Sequence, residues 1–107
     1  MNSPQSVSHE PVRICQLFGS EHVRILNVAE GARLYPAGSE GDCIFVVQSG
    51  IVKETMQTPE GQEIIVRLVT SGGVTGLSAM LGEPHRTAAV VMQGGQVCRI
   101  SVAPVNA

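Results

Sequence analysis

The chain has 107 residues, 43% of them hydrophobic and 15% charged, with a formal net charge of -2. That balance supplies the core of one small domain and excludes a disordered chain. Seven scattered Lys and Arg, no Trp, one Tyr and two Phe form neither a basic patch nor a stacking ladder, so this segment is not expected to grip nucleic acid by itself.

At the N-terminus, "MNSPQSVSHEP" lacks the basic start and apolar centre of a secretion signal. No apolar run approaches the ~20 residues of a membrane helix. Both features set a cytoplasmic expectation. Residues 1–22 read as a polar segment followed by a short amphipathic helix over Pro11–Glu21. Val12, Cys15 and Leu17 or Phe18 would share one side, and Gly19 would end it. Cys15, Cys43 and Cys98 are far apart and odd in number, without a CxxC pair, and are expected to be reduced structural thiols. Zinc or iron–sulfur ligation would need closer ligands.

From residue 23 to 103 the texture is β. "HVRILNV", "ARLYP", "CIFVVQ", "GIVKETMQ", "EIIVRLV", "TAAVVMQ" and "QVCRISV" have strand length and β-branched enrichment. The segments between them carry Gly, Pro, Ser and Asp turn chemistry. Many short strands at regular spacing predict a mainly β domain, a jelly-roll-like β-roll. "QSGIVKE" puts Gly50 between two strands, where positive φ is common. "TPEGQE" reads as a hairpin with Pro59 setting φ and Gly61 left-handed. "GLSAMLG" interrupts the β texture: Leu77, Met80 and Leu81 fall at i, i+3 and i+4, which predicts a helix of one to two turns. Residues 104–107 read as a tail.

That helix carries the main chemical signal. Gly72, Gly73 and Gly76 allow close backbone approach to a ligand. A helix start leaves N–H groups unpaired, and such groups attract anions. Ser78 lies in that first turn. Arg86 comes one short turn later with the Thr87 hydroxyl beside it, and a guanidinium matches phosphate geometry. The bland alternatives are a surface Arg86 paired with Glu83, a Thr87 that is only a strand residue, and a Gly72-Gly73 pair that is only a tight turn. Glu83 reads as a solvated turn residue and His85 as an exposed histidine without a partner. His9 and His22 have no neighbours at metal spacing, and no HxH pair marks a cupin metal site. No nucleophile–base pair suggests itself, so the chain is not expected to be an enzyme.

"EGARLYPAGSEGDCIFVVQSGIVK" followed by "PEGQEIIVRLVTSGGVTGLSAMLGEPHRTAAVV" resembles the cyclic nucleotide-binding domain. More narrowly, it is similar to the sensor domain of the catabolite-activator/fumarate-nitrate-regulator (Crp/Fnr) family of bacterial transcription factors. The likeness runs from about Glu30 to Ile100, with Gly38, Gly50, Gly61, Gly72 and Gly76 falling where that family places glycines. It implies a β-roll whose phosphate-binding cassette is a glycine, a glutamate, a short helix, then Arg followed by Ser, Thr or Ala. Gly76 matches the cassette glycine, Arg86 the phosphate-binding arginine and Thr87 its neighbour.

Leu77 departs from the pattern, because it stands where cyclic-nucleotide binders have a glutamate that accepts the ribose 2′-hydroxyl. An unpaired hydroxyl there costs on the order of 1–3 kcal/mol, about tenfold to a hundredfold in affinity. The resemblance also implies a dimer helix and a helix-turn-helix domain after the β-roll. Pro104 discourages a helix starting before it, and the chain ends at Ala107, which reads as a truncated or stand-alone sensor. A homodimer is expected if a longer form carries that helix. The resulting expectation is a module that binds a small anionic effector, with cyclic AMP or cyclic GMP leading, through Gly72, Gly73, Gly76, Leu77, Ser78, Arg86 and Thr87. The alternative is a vestigial β-roll that serves as a dimerisation or protein-interaction module.

Overall fold

The computed structural model describes residues 20–102. The helix expected over Pro11–Glu21 lies outside them except at its end, where Ser20–His22 make a 3₁₀ turn. The tail at 104–107 also lies outside. Among the described residues, eight strands follow: β1 (Val23–Val28), β2 (Arg33–Tyr35), β3 (Cys43–Val47), β4 (Ile51–Gln57), β5 (Glu63–Val69), β6 (Val74–Thr75), β7 (Ala88–Gln93) and β8 (Gly95–Ser101). A 3₁₀ helix, Leu77–Leu81, lies between β6 and β7. The seven anticipated strands are present. β6 is the addition, and it is two residues long.

The strands form two four-stranded sheets, ordered β1-β8-β3-β6 and β2-β7-β4-β5. All pairings are antiparallel. This is the β-roll that the turn spacing predicts. Successive side chains of a strand point to opposite faces, and β3 buries all five. Phe45 and Val47 face the interior with Tyr35, Val52, Val69, Val91 and Val97. Ile44 and Val46 join Ala79, Cys98 and Ile100 in a second cluster, against which Met80 and Val74 pack. The 3₁₀ helix therefore sits on the outer face of β3 and is held there by Ala79, which is fully buried. Leu77 and Leu81, expected to share an apolar face with Met80, are instead 56% and 58% exposed. The 3₁₀ winding, with three residues per turn, puts Leu81 a third of a turn round from Met80, and Leu77 is exposed at the first residue of the helix.

Cys43 is buried and free, as expected. Cys98 is not: it is disulfide-bonded, which corrects the reading of all three cysteines as reduced thiols. Spacing in sequence could not foresee that bond, because bridging depends on Cα separation in the fold. Among the described residues no helix is long and apolar enough to cross a membrane.

The chain crosses between the sheets at Gly50, after β3, and at Gly94, before β8. These crossings lie against one another. Gly50 has φ 90°, and a Cβ there would overlap the Gln93 carbonyl oxygen. Gly31 has the same φ, but its Cβ would meet nothing within 4 Å. Gly31→Ala should cost only the left-handed backbone penalty, about 1–2 kcal/mol. Gly50→Ala should cost visibly more, because backbone must move as well. Paired thermal melts of the two variants check this. Equal losses would show that the crossing at Gly50 has room.

Candidate functional site

A cavity of about 410 Å³ opens beside the 3₁₀ helix, lined by Gly76, Leu77, Ser78, Leu81, Glu83, His85, Arg86 and Thr87 on one side and Tyr35, Glu54 and Arg67 on the other. Its size is ordinary for a small-molecule site.

The helical side is built on Gly76. Its φ of 90° and ψ of 23° turn the chain from β6 into the helix. An added Cβ would lie 3.1 Å from the Cys43 carbonyl, 3.2 Å from the His85 ring and 3.4 Å from the Tyr35 ring. Glycine is needed here for the turn and for close protein packing. Ala79 N–H bonds the Gly76 carbonyl at 3.0 Å, but Leu77 and Ser78 N–H find no protein acceptor among the described residues, and no side chain caps the helix. At the other end, Gly82 N–H donates to the carbonyls of Ala79 and Ser78.

His85 anchors the segment between the helix and β7. It donates its backbone N–H to the Ser39 carbonyl (2.9 Å) and accepts from Gly38 N–H (2.7 Å). Its ring stacks on Tyr35 with centroids 3.7 Å apart and planes at 17°. It is 4% exposed, so the expectation of an exposed histidine is corrected: the stack and the β2–β3 loop cover it. Nδ1 has no partner among the described residues. Burial lowers its pKa below the ordinary 6.5, and the Asp42 charge opposes that only in part.

Arg86 and Thr87 come directly after and are brought to the cavity mouth. The Arg86 side chain is 81% exposed, and its Nη2 lies 3.7 Å from Glu83 Oε1. This is a loose surface pair worth little, so the guanidinium can turn inward at small cost. Gly72 and Gly73 do not line the cavity. They form the turn from β5 to β6 and bond to Val47 of β3: Gly72 N–H to its carbonyl at 2.8 Å, and Val47 N–H to the Gly73 carbonyl at 2.9 Å. Of the candidate residues, the cavity thus gathers Gly76, Leu77, Ser78, Arg86 and Thr87 and leaves the Gly72-Gly73 turn elsewhere.

The opposite wall was not anticipated. Thr75 Oγ1 is 2.5 Å from Tyr35 Oη and 2.5 Å from Glu54 Oε2. A carboxylate only accepts, so Thr75 donates to Glu54, and the Tyr35 hydroxyl must donate to Thr75. Arg67 closes the chain with Nε to Glu54 Oε1 (3.1 Å) and Nη2 to Glu54 Oε2 (2.9 Å). The same Nη2 reaches the Val74 carbonyl at 2.6 Å. Burial pushes the Glu54 carboxyl up, but hydrogen bonds from Arg67 and Thr75 and the Arg67 charge outweigh it, and the net shift is downward. The Arg67 pKa rises, chiefly through its hydrogen bond to Glu54. Burial raises the Tyr35 pKa, with the Thr75 hydrogen bond opposing.

A family model for the cyclic nucleotide-binding domain matches residues 25–107. The chain belongs to the cyclic nucleotide-binding domain family. Within it the chain is of the Crp/Fnr type. It is 29% identical over 73 residues to the fumarate and nitrate reduction regulatory protein of Vibrio cholerae, covering 68% of this chain and 29% of that relative. The chain therefore matches under a third of that regulator's length. The sensor domain of the transcriptional regulator DNR from Pseudomonas aeruginosa superposes with TM-score 0.70 at 26% identity, covering 92% of this chain and 68% of that one. The Thermus thermophilus catabolite activator protein shares the fold, with TM-score 0.72 at 19% identity over 86% of this chain and 42% of that one.

The two cavity walls can be probed separately. Thr75→Val keeps the volume but leaves the Tyr35 hydroxyl and one Glu54 oxygen short of a partner, a loss of about 1–3 kcal/mol read by denaturant unfolding. His85 gives the pH dependence. The unfolded chain takes up this proton at higher pH than the folded chain does, so its contribution is full above pH 6.5 and falls as pH drops through that value toward the lower folded pKa. Wild-type Tm should therefore fall between pH 7.5 and about 5.5, and His85→Phe, which keeps the stack, should flatten that slope. An unchanged slope in the variant would remove His85 from the account.

Proposed function

We propose that this cavity binds a small anionic effector, with cyclic AMP and cyclic GMP as the leading ligands, and that the domain is the effector-binding β-roll of a Crp/Fnr-like transcription regulator. The observation that carries this reading is that one cavity is lined by Arg86, Thr87, and Leu77 and Ser78, whose N–H groups find no protein acceptor among the described residues. A phosphate placed there would receive two backbone N–H bonds. Arg86 would leave Glu83 and add a charge-assisted fork, while Thr87 supplies a hydroxyl. No bond is made or broken in this scheme. The protein's response is to exchange a weak surface ion pair for a ligand contact at the end of the 3₁₀ helix. The likeness to a transcription regulator supports a cytoplasmic location, with no direct DNA binding by this segment.

A second reading has its own support. Leu77 and Leu81 are exposed at the rim, and the edge strand β5 exposes Ile64, Ile65, Val66 and Leu68 by about half each. Such a surface suits a vestigial roll that serves as a dimerisation or interaction module.

Calorimetric titration with cyclic AMP and cyclic GMP separates the two. Arg86→Ala should weaken binding of whichever ligand binds by at least tenfold without lowering Tm, since the Arg86–Glu83 pair contributes little. Leu77→Glu should strengthen it about tenfold to a hundredfold by supplying the missing ribose acceptor. Equal binding by wild type and Arg86→Ala would remove this arginine from the site. No binding by wild type or by Leu77→Glu would favour the interaction module.

A further inference from the structure

The sheet β2-β7-β4-β5 carries a second cavity, on the face opposite the one beside the 3₁₀ helix. Val52, Ala89 and Val91 pack into the core, so their strand neighbours point outward. On this outer face Arg33 stands beside Val90 and Val90 beside Lys53, and in the next row Ala88 stands beside Thr55. A cavity of about 450 Å³ lies over these rows, with Arg33, Thr55, Gln57, Glu63, Arg86 and Val90 in its lining. Thr55 is 3% exposed, and its hydroxyl has no hydrogen-bond partner among the described residues. Buried hydroxyls are ordinarily paired. Arg33 is exposed and has no carboxylate partner among the described residues. Arg86 has only its loose contact with Glu83. Glu63, the carboxylate of the lining, lies 3.6 Å from the Lys53 ammonium, which offsets its charge. The cavity is thus bordered by two guanidinium groups and one spare hydroxyl.

We infer that this outer cavity is a second anion site, for the phosphate group of a small molecule, and that it shares Arg86 with the first. A phosphate group carries a charge of about −1.5 to −2 and three strong acceptor oxygens. Arg33 and Arg86 supply charged donors, and Thr55 supplies a hydroxyl that has no other use in the fold. Arg86 lines both cavities. Its side chain is 81% exposed, so it is free to turn to either face, and the two sites compete for one guanidinium. The sharing rests on the effector-binding reading above. The outer site itself does not, because Arg33 and Thr55 take no part in the first cavity.

The test is an NMR titration of the 107-residue chain with inorganic phosphate, with sodium acetate at matched ionic strength as the control. Phosphate should give saturable shifts at the Arg33 side chain and the Thr55 and Gln57 amides, and a separate set at the Leu77 and Ser78 amides. Acetate should leave the first set unmoved. Arg33→Gln, at an exposed position without a partner, should weaken the first set by at least about tenfold, the loss of one charge-assisted contact, and spare the second. Arg86→Ala should weaken both sets. Shifts at Arg33 and Thr55 that never saturate, that acetate reproduces, or that survive Arg33→Gln would overturn the outer site and leave the effector reading standing. Weakening of the Leu77 and Ser78 set alone by Arg86→Ala would overturn the sharing. So would a saturable Arg33 set with Leu77 and Ser78 unmoved, and in that case the effector reading loses its anion site while the outer site stands.

Discussion

The hydrogen-bonded chain from Tyr35 through Thr75 and Glu54 to Arg67 ties the two sheets together at the cavity wall. Tyr35, Glu54 and Arg67 belong to one sheet, and Thr75 lies on β6 at the edge of the other. β6 pairs with β3 through only two register positions. Its place is set as much by these side chains, and by the Arg67 bond to the Val74 carbonyl, as by its ladder. The next residue is Gly76, which starts the 3₁₀ helix. The position of the helix start, and of the N–H groups it exposes, thus depends on a polar network one residue away. Networks of this kind are stabilising only when every member is satisfied. Here the carboxylate accepts three bonds and each hydroxyl has a partner.

The helix is fixed on its other side by apolar burial. Ala79 and Met80 pack against the outer face of β3. His85 is gripped by the β2–β3 loop through both backbone groups and by its stack on Tyr35. Tyr35 is the common member: its ring holds His85 and its hydroxyl starts the network. Between these anchors the Glu83 and Arg86 side chains are loosely held. The arrangement is a rigid cradle with a movable cation at its mouth, which suits ligand capture followed by a small local rearrangement.

Much of this was legible in the sequence. Seven strands could be read because β-branched runs alternate with Gly-containing turns, and the glycines at 50, 61 and 76 all adopt positive φ. Gly76, Leu77, Ser78, Arg86 and Thr87 line one cavity. Gly72 and Gly73 looked equivalent in sequence, but hydrogen bonds to Val47 fix them as a turn. β6 was missed because two residues between glycines carry no periodicity. The Glu54–Arg67 wall was missed for a more specific reason. Counting from the hairpin pair Gln57–Glu63 puts Glu54 opposite Val66. A bulge between Glu54 and Thr55 shifts the register by one, so Glu54 faces Arg67. Bulges re-aim side chains in this way, and nothing in either strand's composition announces this one. His85 was misjudged for a similar reason: its burial comes from Tyr35, which is remote in sequence.

In the proposed function the helix start and Arg86 together form an anion site. The most direct measurement is an amide NMR titration with cyclic GMP into the millimolar range, which detects binding as weak as ~4 kcal/mol. Saturable shifts should be largest at the Leu77 and Ser78 amides and the Arg86 side chain, with the Gly72 and Gly73 amides little moved. Shifts centred on β5, or none at all, would contradict it.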